Sequence, residues 1–104
     1  MAAEVMLTAR KCNAAEAVDM GLINRVVPVD DLVNEVTALA ATIAANAPMT
    51  VQAAKASVLE TFKDPARQDA DRINALVEAC FQSDDYVEGR TAFMEKRTQQ
   101  FNGK

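Results

Sequence analysis

A chain of 104 residues, half of them hydrophobic and a quarter charged, has room for one small domain. Its net charge of -4, with no Lys/Arg run, argues against a nucleic-acid partner. The absence of histidine removes Ser–His and Cys–His nucleophile systems and most transition-metal sites.

Much of the hydrophobic half is alanine, with four phenylalanines, one tyrosine and no tryptophan. A small domain buries a modest share of its surface, so this one is expected to need a partner to cover an apolar face. Cys12 and Cys80 lie far apart in no spaced motif, which fits reduced thiols in a cytoplasmic protein better than a disulfide or a metal site. No apolar run has the length of a membrane span. The opening MAAEVMLTAR, acidic and without a basic leader, is not expected to be a signal peptide.

Residues 2–8 read as a short helix and 9–12 as a turn or link. Asn13 caps a second short helix, which Gly21 ends at the residue past its last turn. Leu22 to Val27 is the one plausible strand, and with nothing to pair with it is either a loop-like extended segment or a sheet edge. Asp30 or Asp31 is expected to cap a long helix reaching about Asn46, with Leu32, Val36, Leu39, Ala40 and Ile43 on one face. A helix over 48–62 carries a stripe of Val51, Ala54, Val58 and Phe62, with Glu60 pointing elsewhere. Asp64-Pro65 signals a restart running to about Gln82, with Ile73, Leu76, Val77, Cys80 and Phe81 together. The fold class is therefore mainly α, with short connections that favour antiparallel neighbours.

Among possible chemical groups, Asp30/Asp31 and Asp84/Asp85 sit at expected helix starts, where carboxylates complement the dipole. Asp64 has the same explanation, and Glu16, Glu78 and Glu88 read as isolated. Lys55, inside QAAKASV, is either a base of lowered pKa or a lysine extended along the edge of an apolar stripe. The five methionines read as gap-filling core residues. No catalytic residue and no metal ligand set emerges.

The last helix, Ser83 to Arg97, is the best functional surface. Ser83 is its N-cap, and Gly89, Phe93 and Lys96, spaced by four and three, share one face. A mid-helix glycine costs about 1 kcal/mol relative to alanine, which points to close approach of another surface. The face suits a flat ring beside a phosphate, and equally an ordinary packing role. The tail TQQFNGK is polar apart from Phe101, and is either frayed or docked by that ring.

The run LTARKCNAAEAVDMGLINRVVPVDDL resembles the stretch LTG-x-x-x-x-A-x-E-A-x-x-x-GLV-x-x-V-x-P of the enoyl-CoA hydratase/isomerase (crotonase) superfamily. The matching residues are Leu7, Thr8, Ala14 or Ala15, Glu16, Ala17, Gly21, Leu22, Val26, Val27 and Pro28. An Ala54-Lys55 pair follows, and the end, from Ser83 through Glu88, Gly89, Ala92, Phe93 and Glu95 to Lys96 and Arg97, is similar to the closing S-x-D-x-x-EG-x-x-AF-x-EKR. The departure is Ala9, where the family has glycine at a turn.

The resemblance implies the small helical C-terminal oligomerisation domain of the ClpP/crotonase-like α/β spiral fold, with the N-terminal spiral core absent. Residues 1–28 would end that core, and residues 29–104 would be the C-terminal helical region. It implies a coenzyme A thioester as substrate, no permanently bound cofactor, and self-association, in the parent enzyme as trimers or hexamers. It places Phe93 and Lys96 near the adenine and phosphate end of an acyl-CoA bound by a neighbouring subunit. The parent activity is expected to be enoyl-CoA hydration, with this chain alone inactive. The alternatives are a stand-alone self-associating helical module, or another member such as an isomerase. No nucleic acid or membrane partner is expected.

Overall fold

The computed structural model describes residues 2–104, and every regular element among them is helical. The α-helices are α1 (Ala2–Thr8), α2 (Ala14–Asp19), α3 (Leu32–Ala44), α4 (Pro48–Thr61), α5 (Ala70–Phe81) and α6 (Asp84–Glu95). Single 3-10 turns at Val29–Asp31 and Pro65–Arg67 precede α3 and α5. The chain divides into two units, Met1–Val36 and Thr37–Lys104.

In the first unit, Asn13 and Glu16 form a reciprocal capping box. The Asn13 side chain accepts from the Glu16 N–H at 2.9 Å, and the Glu16 carboxylate accepts from the Asn13 N–H at 2.9 Å. Arg10 adds an ion pair to Glu16 at 3.3 Å. These bonds, the Asn13 backbone first and Arg10 second, hold the Glu16 carboxyl below its ordinary pKa. Glu16 is therefore half of a cap rather than an isolated acid. Gly21, at φ 71°, closes α2 as expected: its N–H reaches Val18 O, and the Leu22 N–H reaches Ala17 O, both at 2.8 Å. Ala9 is also left-handed, at φ 51°. It sits at the turn where the family pattern places glycine.

Residues 22–27 form bends and irregular chain, and no strand occurs among the described residues. Among the described residues no neighbouring strand receives their backbone groups, and within this chain the segment is loop-like. Asp30 and Asp31 lie inside the 3-10 turn that leads into α3, and the residue at the cap position of that turn is Pro28, with no side-chain cap bond, rather than either aspartate.

In the second unit α4 packs mainly on α5, and α5 more lightly on α6. The buried face of α4 is not the expected stripe. Ala53 and Glu60 are buried, while Val58 and Phe62 stand exposed. A small residue and a bonded carboxylate let the two helices approach, and the bulky residues are left facing out. The Glu60 carboxylate accepts from Lys63 Nζ at 2.9 Å and from the Asp69 N–H at 2.7 Å, with Arg72 at 3.7 Å. Lys63 first and the Asp69 N–H second lower its pKa. The Asp64-Pro65 restart makes only the 3-10 turn. A second start follows, with Asp69 accepting from the Arg72 N–H at 2.8 Å to cap α5. Expecting one continuous helix from 65 overlooked Asp69.

Among the described residues the buried apolar set is Ala53 and Ala92, with no large side chain fully buried. Met6 and Met94 are about four-fifths exposed rather than gap-filling, at 81% and 79%. Met1 lies outside the described residues.

Candidate functional site

The second unit holds an apolar groove of about 670 Å³ between α4, α5 and α6, lined by residues that include Ala53, Ala54, Cys80, Phe81, Gly89 and Phe93. Small residues on α4 set its floor and aromatic rings its rim. Phe81 and Tyr86 meet edge-on, with centroids 5.3 Å apart and planes at 76°, and the Arg90 guanidinium lies 5.8 Å from the Tyr86 centroid. Asp85 also lines the groove, but its carboxylate is committed to hydrogen bonds. Lys55 is exposed on α4, which favours the solvated lysine over the buried base.

The N-terminus of α6 is built as expected: Ser83 Oγ accepts from the Tyr86 N–H at 3.1 Å and donates to Cys80 O at 2.7 Å. Its C-terminus differs. Phe93 is in the last turn and 82% exposed. Lys96 is not on the helix face; it is the left-handed residue that stops the helix, at φ 55° and ψ 38°. Its N–H reaches the carbonyls of Ala92 and Phe93, and the Arg97 N–H reaches Ala92 O at 3.0 Å. Phe93 and Lys96 are thus linked through the backbone at the helix end, by the Lys96 N–H to Phe93 O at 3.3 Å, instead of lying along a stripe. An anion there is disfavoured by the helix dipole, so any phosphate must be drawn by the side-chain cation. Arg97 cannot supply it, because its guanidinium is paired with Glu88 at 2.6 Å and Glu95 at 2.7 Å. Lys96 is exposed and makes no ion pair among the described residues.

Two residues that the sequence presented as ordinary organise this end. Glu88 takes both forks of Arg97 and accepts from the Gln100 N–H at 2.8 Å. Arg97 first and this N–H second bring its pKa down to about 2, and the same pairing raises that of Arg97. Asp85, expected only as dipole compensation, is 2% exposed, and its two oxygens accept from the N–H groups of Asn102 and Gly103 at 2.7 and 2.8 Å. Gly89 faces the Phe101 ring: a Cβ there would lie 3.5 Å from it. The close approach expected at this glycine is that of the chain's own tail. Sequence distance hid the two carboxylate contacts, while the mid-helix glycine and the lone ring of the polar tail had signalled the third, and the docked reading of Phe101 holds.

The chain matches the family model described as enoyl-CoA hydratase/isomerase over residues 1–104. It is 38% identical over 100 residues to the probable enoyl-CoA hydratase echA8 of Mycobacterium bovis, covering 96% of this chain and 39% of that protein. It is 40% identical over 105 residues to the enoyl-CoA hydratase EchA19 of Mycobacterium tuberculosis, covering 100% and 39%. The crystal structure of the enoyl-CoA hydratase from Bacillus anthracis superposes with a TM-score of 0.86 at 32% identity, covering 99% of this chain and 40% of that one. The chain therefore spans about 40% of the length of the relatives it matches. Its helices are a small helical portion of the crotonase fold, and the chain belongs to the enoyl-CoA hydratase/isomerase family.

Proposed function

We propose that this chain is the C-terminal helical part of a cytoplasmic enoyl-CoA hydratase, with residues 1–28 ending the spiral core and residues 29–104 forming the oligomerisation region. The observation that carries the reading is the match along the whole chain to relatives of which it spans about 40%. In the parent enzyme a trans-2-enoyl-CoA is hydrated, the coenzyme A thioester is substrate, and backbone N–H groups of the spiral core polarise its carbonyl. The role left to this chain is assembly and cofactor-end recognition. The exposed apolar residues of α3 and α4 support assembly into trimers or hexamers. The exposed Phe93 ring and Lys96 cation offer a stack for adenine and a partner for phosphate, on a coenzyme A held by a neighbouring subunit.

The same exposed faces favour a second reading, a stand-alone module that self-associates without catalysis. The intact mass of the source protein separates the two: a product far heavier than 11.2 kDa supports the enzyme. No helix among the described residues is long and apolar enough to cross a membrane.

The test is turnover of crotonyl-CoA. The purified 104-residue chain is expected to show none, and measurable hydration by it alone overturns the division of labour. In the parent enzyme, Lys96→Ala is expected to raise KM about fivefold, equivalent to about 1 kcal/mol of lost binding, with a smaller change in kcat. A fall in kcat at unchanged KM counts against the coenzyme A contact.

A further inference from the structure

We propose that residues 97–104 are a strap latched onto α6, and that the latch holds Lys96 in its left-handed turn and seats Phe101 at one end of the groove. The strap contains no regular element, so its path depends on what it touches. Its anchors run antiparallel to α6. Arg97 and the Gln100 N–H engage Glu88, the Phe101 ring lies over Gly89, and the N–H groups of Asn102 and Gly103 engage Asp85. Residues 88 and 89 lie three and four positions beyond 85, which places both on the side of the helix that carries Asp85. Two carboxylates there accept backbone N–H groups, and the glycine beside them leaves space for a ring. The Asp85 N–H donates in turn to Lys104 O at 3.3 Å, so the strap end and the helix start are tied in both directions.

Lys96 gives the latch its purpose. A non-glycine residue in the left-handed region costs about 1 kcal/mol, and Lys96 is held there at φ 55° and ψ 38°. The helix-closing bonds to Ala92 and Phe93 lie on one side of this residue, and the strap anchors begin at the next. Asp85 and Glu88 are thus positioning residues for Lys96. Only the further step, from Lys96 to a coenzyme A phosphate, rests on the function proposed above.

Hydrogen exchange by NMR on the full chain tests the latch. In the wild type the N–H groups of Gln100, Asn102 and Gly103 are expected to be protected. Asp85→Asn should raise exchange at Asn102 and Gly103 at least tenfold, and Glu88→Gln should do so at Gln100, with α4 and α5 unchanged. Gly89→Leu should release the strap with both carboxylates intact, whereas Gly89→Ala, whose Cβ meets the ring at an ordinary 3.5 Å, should keep it. On release, the Lys96 backbone coupling constant should lose its left-handed value. Strap N–H groups that exchange freely in the wild type overturn the latch. So does loss of protection in α4, α5 and the strap together in all three releasing variants. Lys96→Ala should leave strap protection in place, so failure of the coenzyme A reading and failure of the latch give different results.

Discussion

α3 and α6 are nearly equal in length, 13 and 12 residues, and use their surfaces in opposite ways. α3 carries Leu32, Val36, Leu39 and Ile43 along one face, all about half exposed, and buries no residue. α6 has only a weak apolar pattern, yet it buries Asp85 and Ala92 and anchors eight residues of tail through carboxylates. The difference separates two sources of order. The end of α6 is completed by polar bonds within the chain, where each buried acceptor has its donor. The α3 stripe holds unrealised burial, on the order of 1 kcal/mol for each half-exposed side chain, that only a second surface can realise.

The sharpest way to break this contrast is at α3. Leu39→Glu with Ile43→Glu should leave the helical circular dichroism intact. It should weaken self-association at least about tenfold, since each loss of about 1.4 kcal/mol is a factor of ten. Sedimentation velocity over a concentration series measures it. A wild-type chain that stays monomeric throughout would show that the stripe is not an association surface. A smaller effect is expected at Lys96. Lys96→Gly removes the left-handed penalty against a higher unfolded-state entropy, for a net gain of about 0.5 kcal/mol in urea unfolding. A loss of stability would mean that the lysine side chain stabilises the turn by more than its backbone costs.

The smallest effect is with acid. The folded pKa of Glu88, about 2, lies below its ordinary 4.5. Its contribution is therefore complete above 4.5 and is lost as pH falls from 4.5 towards 2. Protection of the Gln100 N–H, corrected for intrinsic exchange, should follow that window in the wild type and be flat in Glu88→Gln. An unchanged acid profile in the variant would assign the loss to Glu16 or Glu60, whose pKa values are lowered in the same direction.

Local signals carried most of the helix map. Asn13, Gly21 and Ser83 mark element ends by their own backbone and side-chain chemistry, and the structure uses each as expected. What escaped was set by contacts distant in sequence. The bonds from Asp85 to residues 102 and 103, and from Glu88 to residues 97 and 100, span 9 to 18 positions and leave no helical period to read. Lys96 escaped for a different reason: without glycine at that position nothing marks a left-handed stop, and spacing alone extends the helix through it. The α4 stripe misled because apolar periodicity identifies a face that wants cover, not the face that has it. The family pattern carried the likeness to the crotonases, and it held the glycine turn at the position where Ala9 is left-handed.

The Glu60 corner has a consequence for redesign. One carboxylate gathers a lysine, a backbone N–H and an arginine from both sides of the link between α4 and α5. It ties the end of α4 to the start of α5 like a bracket, and neither it nor its partners line the groove. Re-lining the groove at Ala54 or Cys80 therefore leaves this α4–α5 tie untouched, which makes those two positions the natural ones to exchange first.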